Sequence, residues 1–260
     1  MRKAGTPPEG DVDGYTPSGI NMPRKVNRHV MTKQDIADVV GAFARGAANA
    51  KTLGFDAVEI HGAHGYLIDQ FFWEALNQRD DEYGGSLARR SRFAIEIIEA
   101  VREAVGPEFP VLFRFSQWKQ QDFTARLAET PEQLEQLLLP LSEAGVDIFH
   151  CSTRRFWEPE FEGSDLNLAG WTRKITGKPA MTVGSVGLNA DFIPEPGEAS
   201  FKGAEPASLD DLIRRMDANE FDLVAVGRAL IANPEWANQV QAGQSGKLQA
   251  YKPDMLATLA

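Results

Sequence analysis

The sequence predicts an α/β fold of the TIM (β/α)8-barrel type, with about five βα units evident in a single domain spanning 1–260. Three observations carry this expectation. From Thr32 onward one theme repeats: a capped amphipathic helix, a glycine stop, then a short β-rich run. The β-rich runs begin at residues 56, 111, 146, 180 and 222, so 34 to 55 residues separate successive starts, enough for the right-handed crossovers of a parallel sheet. Each run also exits into polar or glycine residues, at the end where parallel α/β folds carry their sites.

Thr32 precedes an apolar stripe of helical period formed by Ile36, Val39, Val40, Phe43 and Ala47, with Asp35 in the capping-box position and Gly54 as the stop. A strand is expected over 56–60. Ser86 opens the next helical segment, whose Phe93, Ile97, Val101 and Val105 share a face before Gly106 and Pro107. A strand over 111–115 follows. Thr130, Pro131 and Gln133 read as cap, first-turn proline and capping box ahead of Leu134, Leu137, Leu138 and Leu141. Gly145 leads to a strand over 146–151, and a less periodic segment over 168–175 precedes a strand over 180–183. Ser208 is expected to cap a helix carrying Leu212, Ile213 and Met216, before a last strand over 222–226. The first thirty residues, with Pro7, Pro8, Gly10, Gly14, Pro17 and Gly19, read as loop, and residues 187–205 as a surface excursion. An eight-stranded barrel takes roughly 250 residues. Five strands in 260 residues therefore imply hidden strands or part of a larger fold.

Composition narrows the function. Apolar residues make up 43% of the chain, enough for a sizeable core, and the net charge of −10 without a basic block argues against a nucleic-acid binder. The single cysteine, Cys151, excludes an internal disulfide, a four-cysteine zinc site and an iron–sulfur cluster. No signal-peptide pattern or apolar span of membrane length is visible, so a cytoplasmic protein with no membrane partner is expected.

The strand exits gather the candidate chemistry. Gly184-Ser185 after the fourth run and Gly227-Arg228 after the fifth suit a phosphate, because small residues let backbone N–H groups approach an anion and an arginine adds a charge-assisted contact. The competing reading is a pair of plain turns. His61 and His64 fit a metal pair, a hydrogen-bonding pair for an anionic or carbonyl oxygen, or packed histidines; His150 lies at another strand end. A metal would want carboxylates at the neighbouring ends. Arg114 and Arg228 stand there instead, which favours an anionic cofactor. Tyr66 carries a phenol suited to proton donation, or is a core tyrosine.

At these residues the sequence resembles the Old Yellow Enzyme family of FMN-dependent ene-reductases (NADH:flavin oxidoreductases). The resemblance runs through the segment from Gly54 to Leu67, Gln70-Phe71-Phe72, Asn77, the segment from Arg79 to Ser86, Arg90, Arg92-Phe93, Arg114, Val183-Gly184 and Val226-Gly227-Arg228. It implies FMN as cofactor, NADH or NADPH as reductant, and an activated alkene or a nitro compound as substrate. His61 and His64 would bind the activating oxygen, and Tyr66 would protonate the carbon next to it while flavin N5 delivers hydride to the other. Arg114 would lie beside the flavin N1/O2 edge, and Gly184, Ser185, Gly227 and Arg228 would cradle the phosphate. The exit over 153–162, with Phe156 and Trp157, would face the substrate.

The resemblance begins about a third of the way into a usual family member, whose first three barrel strands would precede Met1. An N-terminally incomplete member is therefore expected, needing a complementing segment, an oligomeric partner or a remodelled start to hold flavin well. The cysteine count excludes the family's iron–sulfur branch. Two other readings remain open at this level: a flavin-free, catalytically silent fragment or subunit, and a metal-dependent hydrolase using His61, His64 and His150.

Overall fold

The computed structural model describes residues 14–22, 25–26, 29–191 and 202–257. The segment expected as loop contains four short strands: β1 (Tyr15–Thr16), β2 (Ile20–Met22), β3 (Lys25–Val26) and β4 (His29–Val30). β1 pairs in parallel with β4, and β2 antiparallel with β3. Proline and glycine punctuation hid pairings only two or three residues long. Pro7, Pro8 and Gly10 lie outside the described residues, as do residues 192–201 of the expected surface excursion.

Helix α1 (Lys33–Thr52) starts as its sequence dictates: the Asp35 N–H donates to Thr32 Oγ1 at 3.1 Å and the Thr32 N–H donates to Asp35 Oδ2 at 2.8 Å. Gly54, at φ +85°, takes the chain out of it. The main sheet then assembles from β5 (Val58–His64), β6 (Val111–Lys119), β7 (Ile148–Ser152), β8 (Ala180–Val183) and β9 (Leu223–Val224), all parallel and adjacent in chain order. Between β5 and β6 run α2 (Leu67–Phe72), α3 (Leu87–Arg90) and α4 (Arg92–Val105); α5 (Pro131–Glu143), α6 (Leu168–Thr176) and α7 (Asp210–Asp217) fill the later crossovers. Beyond β9 come α8 (Arg228–Ala232) and α9 (Trp236–Gln241).

The period of two in a strand sorts the sheet into two faces. One row across it, Ile60, Phe113, Phe149 and Ala180, is buried under the helices. The next row is Arg114 paired with His61 and His150, then Met181 and Leu223, facing the opposite way. Gly62 belongs to the packed face, where the Phe113 ring stands 2.4 Å from the position a Cβ would take. The helices bring the matching stripes: Phe93, Ile97, Val101 and Val105 of α4 and Leu134, Leu137, Leu138 and Leu141 of α5 are all buried.

Several boundaries differ from the sequence reading. β5 and β6 run on to His64 and Lys119, so His61 and His64 lie within a strand rather than in the loop after it. A register shift between Gly62 and His64 lets the two strands continue past the point where the pattern breaks. The weakly periodic segment over 168–175 is helix α6, capped by Asn167, whose Oδ1 accepts from the Gly170 N–H, and stopped by Gly177 at φ +66°. α7 starts after Leu209 rather than Ser208, and of Leu212, Ile213 and Met216 only Leu212 is buried; Ile213 and Met216 are exposed. β9 is two residues long, with backbone bonds from the Asp222 N–H to the Ala180 carbonyl and from the Ala225 N–H to the Thr182 carbonyl on either side, and the Asp222 carboxylate accepts from the Ala180 N–H and pairs with Arg173.

Cys151 lies on the packed face, fully buried, with its thiol 3.3 Å from Thr172 Oγ1. Burial pushes its pKa up to about 12. The native chain is therefore expected to resist an aromatic disulfide reagent at pH 8 and to react fully in denaturant. Rapid stoichiometric labelling of the native chain would show that the layer between sheet and helices opens.

Candidate active site

The site is built at the carboxyl ends of the strands. At the end of β5, His64 has φ +64°, an uncommon conformation for a residue with a side chain, and Gly65 follows at φ +77°. The left-handed backbone at Gly65 is what favours glycine there. A buried ion pair holds this turn down. The Gly65 N–H donates to Asp69 Oδ2 at 2.6 Å, and Asp69 Oδ1 accepts from Lys119 Nζ at 2.7 Å, with both side chains fully buried. Lys119 Nζ also donates to the Ser116 carbonyl at 3.1 Å. The start of α2 is thereby tied to the end of β6, and this fixes where His64 and Tyr66 stand.

The rings of His61 and His64 lie 5.2 Å apart, those of His61 and Tyr66 5.4 Å, and His64 stacks on Trp118 at 4.5 Å. Tyr66 immediately precedes α2, is 51% exposed, and places its hydroxyl 3.5 Å from Gln120 Oε1. Burial, aided by Arg114, lowers the pKa of His61 and brings that of His64 down to about 3. Both imidazoles are thus neutral near pH 7, and each offers one N–H donor.

Beside them, the Arg114 guanidinium is half-buried; its Nη2 reaches Ser152 Oγ at 3.5 Å, and its buried Nε has no hydrogen-bond partner among the described residues. His150, the Cα partner of Arg114 on β7, turns to Glu59 instead, Nδ1 to Oε2 at 2.7 Å. Burial opposes the Glu59 charge, but this hydrogen bond and the charges of His150 and Arg114 outweigh it and lower its pKa.

The exits of β8 and β9 form the far wall. Gly184 sits at φ +142°, where a Cβ would lie 2.7 Å from the Thr153 carbonyl oxygen, so the β8 exit can press against the β7 exit only without a side chain. Ser185, at φ +51°, accepts from Arg228 Nη2 at 3.2 Å, and the same Nη2 donates to the Ala190 carbonyl at 2.7 Å. The guanidinium also lies over the Tyr251 ring at 5.5 Å. Gly227 precedes α8 with nothing within 4 Å of where a Cβ would project.

A cleft of about 390 Å³ joins these groups, lined by His64, Arg114, Gly184, Ser185, Gly227 and Arg228 among others. His61 and Tyr66 do not line it; the His61 ring lies beside those of both His64 and Tyr66. Ser152, Trp118 and Tyr251, not singled out in the sequence, also line it, as do Thr153 and Arg154 of the expected 153–162 exit. Ser152 closes a strand read as ending at residue 151, and Tyr251 arrives from a C-terminal segment in which no pattern was recognised. Within the 153–162 exit expected to face the substrate, Phe156 and Trp157 pack on the core, with Phe156 4% exposed.

The family model for the NADH:flavin oxidoreductase / NADH oxidase family matches residues 7–195. The chain belongs to that family. Among the relatives of this NADH:flavin oxidoreductase-family chain, a protein named NADH oxidase from Thermoanaerobacter brockii is 36% identical over 227 residues, covering 84% of this chain and 31% of that one. A protein named NADPH dehydrogenase from Geobacillus sp. (strain WCH70) is 34% identical over 238 residues, 91% of this chain and 63% of that one. The chain thus spans between about a third and two thirds of the length of these relatives. Two solved structures share the fold: morphinone reductase in complex with tetrahydroNAD, with a TM-score of 0.70 at 24% identity over 94% of this chain and 63% of that one, and the old yellow enzyme homologue from Zymomonas mobilis, with 0.73 at 21% over 96% and 66%. The expected fold, a TIM-barrel type with five βα units, and the expected Old Yellow Enzyme family both hold.

The cofactor of this family is FMN, and the cleft fits it on three counts. Among the described residues Arg114 Nε is a buried donor without a partner, Gly227 leaves open the space a side chain would fill, and three arginines, Arg114, Arg154 and Arg228, line a volume within the usual range for small-molecule sites. Arg228 with the backbone around Gly184, Ser185 and Gly227 would hold the phosphate, and Arg114 the ring. The two sides of the site differ in chemistry: cationic guanidiniums line one part, and neutral imidazoles with a phenol stand at the other. Among the described residues no cluster of three His, Cys, Asp or Glu side chains is arranged to hold a metal ion, and no helix is long and apolar enough to cross a membrane.

Proposed function

We propose that this chain is the FMN-holding part of an NAD(P)H:flavin oxidoreductase that reduces activated C=C bonds, such as those of enones, or nitro compounds and nitroesters. The observation that carries this reading is the juxtaposition of His61, His64 and Tyr66 with a cleft walled by Arg114, Gly227 and Arg228. FMN, when bound, supplies the redox chemistry, accepting hydride from NADH or NADPH and passing it to the substrate. The chain's own residues do the rest. The neutral imidazoles of His61 and His64 donate hydrogen bonds to the substrate's carbonyl or nitro oxygen, and their donation strengthens as negative charge develops there. Tyr66, open to solvent on one side, gives its phenolic proton to the carbon adjacent to the activating group. Arg114 holds positive charge beside the cofactor ring, and burial lowers its pKa without bringing an arginine near deprotonation.

The test is the visible spectrum of the chain purified with added FMN, followed by anaerobic oxidation of NADPH. Bound flavin that NADPH bleaches and an enone restores supports the reading. A chain that retains no flavin at micromolar concentration sinks it. In the same assay, His61→Ala is expected to weaken binding of phenol about 100-fold, the equivalent of roughly 3 kcal/mol for one oxygen-site donor. Unchanged phenol affinity would remove His61 from the oxygen site.

The metal-dependent reading finds no support in the side-chain geometry: His64 Nε2 is taken by Ser152 and His150 Nδ1 by Glu59. The flavin-free alternative draws on the sheet edges. β5 and β9 are its two edge strands, Leu223 on the open face is 40% exposed, and an apolar groove lined by Val39, Phe43, Ala47 and Val58 runs beside β5. Such an edge invites pairing. A complementing segment or a second copy of the chain is proposed to cover it, and light scattering on the flavin-loaded chain checks this. A stable monomer with stoichiometric flavin would count against any such partner.

A further inference from the structure

Ser152 is the last residue of β7 and is 3% exposed. Its Oγ lies 2.7 Å from His64 Nε2 and 3.5 Å from Arg114 Nη2. Its carbonyl accepts from Trp118 Nε1 at 3.1 Å, and Trp118 is the ring on which His64 stacks. The residue thus touches His64 directly and holds the platform beneath it.

A guanidinium only donates, so the oxygen lone pairs of Ser152 face Arg114. Among the described residues, His64 Nε2 is the one acceptor within hydrogen-bond reach of the single hydroxyl hydrogen, and it becomes the acceptor nitrogen. Burial first, then the cations Arg114 and Lys119 on β6, disfavour a second proton on the His64 ring, and the His61 and His150 rings on β5 and β7 would only add to this if protonated. A neutral ring whose Nε2 accepts must carry its one proton on Nδ1. We infer that Ser152 is a positioning residue that fixes His64 as its Nδ1–H tautomer, so that Nδ1–H is the single donor His64 can offer to a substrate oxygen. The tautomer follows from this chain's own contacts; its use on a substrate oxygen rests on the function proposed above.

The experiment reads ring nitrogens by ¹⁵N NMR on the histidine-labelled chain without FMN, with the His64 resonances assigned by His64→Gln. The wild type is expected to show a protonated Nδ1 and an unprotonated Nε2 for His64, with no titration between pH 5 and pH 8. Ser152→Ala is expected to mix the two tautomers, and Ser152→Thr, which keeps the hydroxyl, to restore the single form. With FMN present, phenol should bind about tenfold more weakly to Ser152→Ala than to wild type, and Ser152→Thr should recover most of the loss. A protonated Nε2 in the wild type, a His64 titrating near 6.5, or a tautomer unchanged in Ser152→Ala would each overturn the inference. If the tautomer shifts as expected while phenol fails to bind even the wild type, the role of Ser152 stands and the proposed oxygen site falls.

Discussion

Lys119→Met is expected to destabilise the chain by about 3–5 kcal/mol, measured as a shift in the urea unfolding midpoint, because it leaves the Asp69 carboxylate without its cation in a fully buried site. Burial already raises the pKa of Asp69 and lowers that of Lys119, so the pair depends on its 2.7 Å contact and on the added bonds to the Gly65 N–H and the Ser116 carbonyl. Removing one charge is worse than removing both. The double variant Lys119→Met, Asp69→Leu should therefore recover part of the loss, short of full recovery because the Gly65 N–H loses its acceptor. The single variant should also loosen the His64–Tyr66 turn, visible as faster amide exchange at Gly65. A midpoint change worth less than about 1 kcal/mol in the single variant would show that the pair does not anchor the turn.

Tyr66→Phe is expected to slow reduction of an enone by about 10²–10⁴-fold, the usual contribution of a placed proton donor, while leaving reduction of bound FMN by NADPH unchanged. The fold gives little ground for a structural side effect. Tyr66 is half exposed, and the bond its hydroxyl makes, at 3.5 Å to Gln120, is long. Stopped-flow measurement of the two half-reactions separates the outcomes: an undiminished oxidative half-reaction removes Tyr66 from the mechanism, and a slowed reductive one would mean that the substitution disturbs the flavin cleft instead.

Much of the architecture could be read from the chain because its helices are locally specified. Thr32 with Asp35 and Gly54 bounds α1 by short-range hydrogen bonding and backbone freedom, and the stripes of α4 and α5 are the faces that became buried. Strand limits were less legible. β5 and β6 continue past their apolar runs because the bulge at His64 and the buried Lys119 are stabilised by partners distant in sequence, which no local pattern records. α6 is less legible because its inward residues are largely small, Ala169, Gly170 and Thr172, and mark no apolar stripe. The 153–162 exit divides between cleft and core: Thr153 and Arg154 line the cleft, while the apolar bulk of Phe156 and Trp157 packs on the core.

By itself the sequence determined the five parallel βα units, their order, and the residue types set at the strand exits: two histidines, a tyrosine, two arginines and the small residues between them. Only the tertiary structure decided which of these share a cleft and in what chemical state. His61, Arg114 and His150 fall on one row of the sheet because parallel pairing aligns residues more than 30 positions apart, and a one-residue slip of register would turn each to the helical side. The neutrality of His64, its bond to Ser152, and the division of Arg114 and His150 between the cleft and Glu59 follow from burial and from charges on neighbouring strands. Those are long-range quantities, set when the sheet closes up and absent from any local stretch of chain.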